Sequence, residues 1–177
     1  MDKIGVFCSA SNNIDHVYVE RTREFGRWLG QNGKTLVYGG SNQGLMECLA
    51  KEVKQNGGRV YGVVPMILEE NGRVSELLDV TFRACNLSDR KDTMVAESDI
   101  FVALPGGVGT MDEIFHVVAA HSIGYHSKRV ILYNINGFYD GLIVVLNQFE
   151  ALHFTSRPIE QFISVANTLD ELKELLS

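Results

Sequence analysis

The sequence predicts an α/β protein built on a doubly wound parallel sheet with helices on both faces. Three observations carry this. Short apolar segments alternate with helix-period segments from end to end, with no internal repeat, low-complexity tract or linker between them. Residues 100–104 (Ile-Phe-Val-Ala-Leu) form an uninterrupted apolar run, the pattern of a strand covered on both faces. Glycine-rich turns, Gly39-Gly40 and Gly106-Gly107-Val108-Gly109, come directly after two of the strands. At 177 residues the chain is expected to form one domain, long enough to bury roughly two thirds of its unfolded surface.

Taken in order, residues 3–8 read as the first strand, ending in the small polar turn Ser9-Ala10-Ser11-Asn12-Asn13. Residues 15–31 are helical by period, with Val17, Phe25, Trp28 and Leu29 as the inward stripe and Gly33 as the stop. Residues 35–38 give the second strand, followed by Gly39-Gly40-Ser41-Asn42 and a helix over 44–55 with Leu45, Leu49 and Val53 on one face. A third strand spans 59–64 and stops at Pro65; residues 66–77 are polar and read as a loop or a short helix. Residues 80–85 read as a fourth strand, and Ser88 or Asp89 is expected to cap a helix running to about Glu97. After the central strand, Thr110 opens a helix with Ile114, Val117 and Val118 inward. Residues 129–133 form another strand and Asn136-Gly137 a turn. Residues 138–151 form a helix with Leu142, Val145, Leu146 and Phe149 inward, and 162–166 an edge strand. Thr168 caps the last helix, with Glu171 completing a capping box.

Hydrophobic residues make up 45 % of the chain and charged ones 21 %, as in ordinary globular proteins. Sixteen basic against 22 acidic residues give a formal charge of −6, which argues against nucleic acid as a partner and requires any phosphate ligand to find a local basic group. The three cysteines (Cys8, Cys48, Cys85) lack metal-like spacing and sit beside apolar residues, so buried free thiols in a reducing compartment are expected. A strand already at residues 3–8 leaves no signal peptide, and no apolar run reaches bilayer length. No membrane association and a cytoplasmic location follow as expectations.

The chemistry concentrates in residues 98–114. A strand, three glycines within four positions (Gly106, Gly107, Gly109) and a helix N-terminus make an anion site, because glycine lets backbone amides approach a phosphate and the helix dipole is positive there. The spacing is neither the dinucleotide fingerprint nor a nucleoside-triphosphate loop. In a parallel sheet all strand ends share one rim, so Ser9 and Ser11, Gly39-Gly40-Ser41 and the 105–110 loop converge. A ten-residue helix and a six-residue strand running back also return Arg90 and Lys91 to that rim. An Arg-Lys pair at a helix N-terminus opposes the dipole, a local cost expected where function selects the residues. Thr110-Met-Asp-Glu113 admits two readings, a capping box or a carboxylate placed for chemistry on a sugar. His116 and His121 do not share a helix face, so they do not suggest a metal pair, and no Ser or Cys has a triad-like setting.

With these residues in view, Pro105-Gly-Gly-Val-Gly-Thr-Met-Asp-Glu113 preceded by Arg90-Lys91 resembles the paired motifs of the LOG ("lonely guy") family of nucleoside-monophosphate phosphoribohydrolases, some of which carry the older label "lysine decarboxylase-like". Tyr38-Gly-Gly-Ser-Asn-Gln-Gly-Leu-Met46 resembles that family's first glycine turn. The resemblance implies a Rossmann-like fold, a homodimer, and cleavage of the N-glycosidic bond of AMP or cytokinin riboside 5′-monophosphates to free base and ribose 5-phosphate, with no cofactor. It implies Arg90 and Glu113 as the catalytic pair, and Lys91, Gly106, Gly107, Gly109 and Thr110 as nucleotide contacts. The rim argument adds Ser9, Gly40 and Val108 to the substrate-binding set. Two segments depart from the family pattern. Leu87-Ser88-Asp89 replaces Met-His and its following residue, and Ala119-Ala120-His121-Ser122 stands where Thr-Trp-Ala-Gln is common, removing a hydroxyl, a large aromatic and an amide. The altered segment motivates an alternative, a non-catalytic nucleotide carrier or sensor. A decarboxylase would need pyridoxal phosphate on a lysine in a desolvated pocket, and Lys91 is the only rim candidate.

Overall fold

Seven parallel strands lie in the order β4-β3-β2-β1-β5-β6-β7, in a computed structural model that describes residues 1–177. They are β1 (Lys3–Phe7), β2 (Thr35–Tyr38), β3 (Arg59–Pro65), β4 (Val80–Ala84), β5 (Ile100–Ala103), β6 (Val130–Tyr133) and β7 (Ile163–Ala166). The helices are α1 (His16–Gln31), α2 (Gly44–Gln55), α3 (Met66–Glu70), α4 (Leu87–Glu97), α5 (Val108–Ser122), α6 (Asp140–Ala151) and α7 (Leu169–Leu176). This is the Rossmann-like, doubly wound arrangement that the alternation predicts. The winding reverses at β1, which pairs with β2 on one side and β5 on the other, Gly5 opposite both Val37 and Phe101. A crevice therefore opens between the carboxyl ends of β1 and β5, where ligands bind in such sheets.

Alternate strand residues feed two cores. Ile4, Val6, Leu36, Tyr38 and Val102 pack with Phe25, Leu29, Leu45, Leu49, Val53, Leu172 and Leu176 from α1, α2 and α7. Phe7, Val37, Val63, Phe101, Ala103 and Leu132 pack with Met94, Ile114, Val117 and Leu146 from α4, α5 and α6. Burial on both faces explains why β5 reads as a continuous apolar run, each fully buried Ile, Val or Phe contributing about 1.5–3 kcal/mol.

Several expectations need correction. Asn86 caps α4, accepting from the amides of Ser88 (2.9 Å) and Asp89 (3.0 Å), while the Asp89 carboxylate turns back to the Cys85 amide at 2.7 Å. Neither Ser88 nor Asp89 is the cap because Asn86 satisfies the orphan amides one turn earlier. Residues 66–77 begin with the short α3 and then pair back: Val74 bridges Ser41, and the amides of Asn42 and Ser75 donate to Arg73 O (3.0 Å) and Gly40 O (2.9 Å). In α6 only Leu146 is buried, with Val145 at 40 % and Phe149 at 37 % exposure. That helix starts at Asp140 because Asn136 and Gly137 take positive φ (54° and 72°) in the preceding turn. Val17 and Trp28 are half-buried rather than core, and Cys85 is an exposed thiol beside the buried Cys8 and half-buried Cys48. No helix is long and apolar enough to cross a membrane.

Candidate functional site

At the switch point the chain encloses a cavity of about 260 Å³. Its floor is Cys8, Ser9 and Ala10 after β1, its walls Met46 of α2 and Arg90 of α4, and its far side Gly107, Gly109, Thr110 and Glu113 of the β5–α5 turn.

The defining feature is an ion pair taken out of water. Arg90 Nη1 donates to Glu113 Oε1 at 3.0 Å and Arg90 Nε to the Val63 carbonyl at 3.1 Å. The two side chains are only 11 % and 6 % exposed. Burial drives the Glu113 pKa up from 4.5 to about 7, with the Asp112 charge pushing the same way and the guanidinium and Lys91 opposing. Desolvation thus outweighs a partner within hydrogen-bonding distance, which is the usual balance for a carboxylate in a nearly dry site. The consequence for stability has a definite sign. The folded chain holds the Glu113 proton up to about pH 7, whereas the unfolded chain releases it near its ordinary value of 4.5. Folding takes up a proton across that window, so this group's contribution is intact below it and is lost as pH rises through 7, by roughly 3 kcal/mol. Urea unfolding at pH 5 and pH 8 measures this, and the Glu113→Gln chain should lack that component.

Gly39 makes room for the pair, because a Cβ there would overlap Arg90 Nη2. The displaced guanidinium would lose Val63 O, Glu113 or both. We expect Gly39→Ala to lower activity about 10- to 100-fold, the scale set by displacing an active-site group by about 1 Å. Full activity in that variant would show that the guanidinium's position is not critical.

The glycine loop divides into two parts. Gly106 is required by the chain itself, since a Cβ would overlap Thr110 Oγ1. Gly107 and Gly109 are not: nothing lies within 4 Å of the place a Cβ would occupy, and Gly107 has an ordinary negative φ of −93°. Their missing side chains leave open space over the first turn of α5. Gly107 is the N-cap, and the first intrahelical bond runs from Met111 N to Gly107 O at 3.1 Å, so the amides of Val108, Gly109 and Thr110 are without helical partners. Three free amides at a dipole's positive end, uncovered by side chains, form an oxyanion cradle. Thr110 lies inside the helix and is not its cap, which removes the capping-box reading of Glu113. Val108 is 88 % exposed, so its part in any site falls to its backbone.

The remaining predicted residues separate. Ser9 lines the cavity and is anchored three ways: its amide donates to Pro105 O (3.3 Å), its carbonyl accepts from Leu45 N (3.0 Å) and its hydroxyl from Ser11 N (3.1 Å). Lys91 sits beside the cavity with Nζ on both Asp112 oxygens at 2.8 Å. Gly40 is not a lining residue. Its φ of +75° and the Val64 methyl 2.5 Å from a would-be Cβ account for the glycine by folding alone. Sequence reasoning missed Cys8 and Met46, and it placed Gly39 on the rim without giving it a role of its own. Gly39 carried a signal as the partner of Gly40, whereas Met46 lies one position off the Leu45-Leu49-Val53 stripe and gave none.

Fold and geometry together define a Rossmann-like α/β protein whose switch-point crevice carries a buried Arg–Glu pair beside an open helix N-terminus. The chain belongs to the LOG family: residues 46–176 match the family described as "possible lysine decarboxylase". It is 34 % identical over 170 residues to a "probable cytokinin riboside 5′-monophosphate phosphoribohydrolase" of Oryza sativa subsp. japonica, covering 96 % of this chain and 69 % of the relative. It is 31 % identical over 174 residues to a cytokinin riboside 5′-monophosphate phosphoribohydrolase of Arabidopsis thaliana, covering 98 % and 82 %. Among solved structures, the Moco carrier protein from Chlamydomonas reinhardtii has the same fold (TM-score 0.74, 21 % identity, 99 % of this chain and 94 % of that one). So does the molybdenum cofactor binding protein of Rippkaea orientalis (TM-score 0.75, 20 % identity, 99 % and 94 %).

The residues do not fit the pyridoxal phosphate that the decarboxylase description would call for. Lys91 Nζ is engaged by both oxygens of Asp112 and lies outside the cavity lining, whereas a Schiff-base lysine needs its nitrogen free within a desolvated pocket.

Proposed function

We propose that the protein hydrolyses the N-glycosidic bond of a purine nucleoside 5′-monophosphate, AMP or a cytokinin riboside 5′-monophosphate, to the free base and ribose 5-phosphate. The observation that carries this is the Glu113 carboxyl, buried against Arg90 and set beside the uncovered amides of α5. The 5′-phosphate sits on the amides of Val108, Gly109 and Thr110, which places the ribose over Glu113. Departure of the base leaves positive charge shared by C1′ and the ring oxygen, and the adjacent carboxylate stabilises it. Water then supplies hydroxide to C1′ and a proton to the base. The unreactive phosphate contributes binding energy held alike in the bound substrate and in the transition state. Arg90 holds Glu113 in place and favours its ionised form. The names of the relatives support the reading.

Because the ionised carboxylate does the work, kcat/KM is expected to rise with pH through about 7 and level off above it. A profile flat from pH 5 to 9 would remove Glu113 from the rate-determining chemistry.

The chain is further proposed to act as a cytoplasmic homodimer. Three free cysteines suit a reducing compartment. Exposed Phe115, Val144, Phe149 and Phe154 on and beside α5 and α6 offer apolar surface for a second copy. Light scattering should then give twice the 19.7 kDa chain mass.

The deciding experiment is product analysis after incubation with AMP and with isopentenyladenosine 5′-monophosphate, side by side. Liberated base supports the hydrolase and ranks the two bases. Saturable binding with both nucleotides recovered intact would instead make the protein a carrier.

A further inference from the structure

The central strand needs a donor that its own neighbours do not provide. β5 ends at Ala103, and the next residue, Leu104, is fully buried with its amide donating to Phe7 O at 2.9 Å. Its carbonyl lies just beyond the β5–β6 ladder, whose last register pair is Ala103 with Leu132. The donor to that carbonyl comes from 35 residues away: Tyr139 Oη, on a side chain 1 % exposed, at 2.7 Å. The following residue, Pro105, is tied on the other side by the Ser9 amide. The chain entering the glycine loop is thus clamped between the β1 turn and a single phenol.

The phenol is itself held. The Tyr139 amide donates to Asn134 Oδ1 at 2.7 Å. Asn134 is 5 % exposed, and its Nδ2 donates to Asp140 Oδ1 (2.8 Å) and Asn167 Oδ1 (3.0 Å). Asn134 is therefore fixed to the ends of β6 and β7 and to the start of α6. The positive-φ turn at Asn136 and Gly137 brings the chain round so that Tyr139 reaches back beneath β5. That turn, with a fully bonded buried amide behind it, is more than the start of a half-exposed helix requires.

We infer that Tyr139 is a positioning residue for the glycine loop, holding the α5 amides at the height that suits the substrate's phosphate through its hydrogen bond to Leu104. The inference rests on the hydrolase reading for which ligand the loop meets. Tyr139 touches neither Glu113 nor Arg90 by hydrogen bond, so its loss should weaken phosphate binding and leave the bond-breaking step largely alone.

Tyr139→Phe tests this, since it keeps the ring and removes only the hydroxyl. KM for AMP should rise about tenfold while kcat changes less than about threefold, the pattern of lost uniform binding. The inhibition constant of ribose 5-phosphate should rise by the same factor, and that of free adenine should not move. Unchanged KM and ribose 5-phosphate inhibition in a folded variant would make the tyrosine purely structural and overturn the inference, as would a fall in kcat at constant KM. Asn134→Ala, which frees the Tyr139 amide but keeps the phenol, should shift KM the same way by a smaller factor, and it serves if the first variant does not fold. If the wild-type protein releases no base, the hydrolase reading fails separately. Calorimetric affinity for AMP and ribose 5-phosphate then decides: a tenfold loss in Tyr139→Phe supports the positioning role, and equal affinity, or no affinity in the wild type, ends it.

Discussion

Glu113→Gln is expected to reduce base release from AMP by about 10³-fold or more, the upper range for removing one electrostatic stabiliser of a transition state. The substitution keeps volume and shape, and the glutamine oxygen can still accept from Arg90 Nη1, which now meets Glu113 Oε1 at 3.0 Å. What disappears is the negative charge facing the sugar. The fold should survive, because a neutral amide is easier to bury at a position 5 % exposed than an ion is. AMP should still bind, since the α5 amides are untouched. Initial rates with matched circular dichroism and AMP affinity check all three statements together. A folded, AMP-binding variant that turns over at the wild-type rate would strike Glu113 from the mechanism.

Arg90→Met should damage activity and stability at once. It removes the partner of a buried acid and the donor to Val63 O, which the Nε now reaches at 3.1 Å. Breaking a buried pair from one side costs about 3–5 kcal/mol. Here the cost should be largest above pH 7, where Glu113 would otherwise ionise, and smaller below it, where the acid is already protonated. Activity should fall about 10²-fold or more, because the carboxylate is needed charged and its pKa moves further up. Lysine is a poor substitute, since one ammonium on a flexible stem does not reproduce a planar fork bonded to both Val63 and Glu113. The double variant Arg90→Met with Glu113→Gln should recover much of the lost stability, as the uncompensated charge is gone. Denaturant midpoints for the four members of that cycle measure the coupling, and simple additivity would mean the pair does not act as a unit.

The sequence made the frame legible where a single rule decides. Uniform burial gave β5 its uninterrupted apolar run, and parallel winding alone brings residues 90 and 113 to one rim. Local competition was harder to read. Thr110 and Ser88 are both good cap formers, yet Gly107 and Asn86 hold those positions. Which residue caps is settled by where the preceding strand releases the chain, a fact of tertiary geometry. Residues 66–77 looked unstructured because their order comes from Gly40, Ser41 and Asn42, more than thirty positions earlier. The apolar side chains of α6 gave the right period but not the right depth, since period says which residues share a face and not what covers it.

The bridge between Ser41 and Val74 bears on how this chain can change length through evolution. Residues 73–75 hold the turn that carries Gly39, and Gly39 leaves the berth for the Arg90 guanidinium. An insertion at 73–75 would slide that staple and carry the disturbance to a side chain far along the sequence. At Gly72, where a side chain would face open space, extra residues would forfeit the exposed bond from Asn42 Nδ2 to Gly72 O (3.2 Å) and add a slowly growing closure entropy of about 0.6 kcal/mol per doubling. Two adjoining stretches of one connection thus differ in tolerance: the outer can lengthen for the loss of one exposed hydrogen bond, and the inner is fixed in count by a distant arginine.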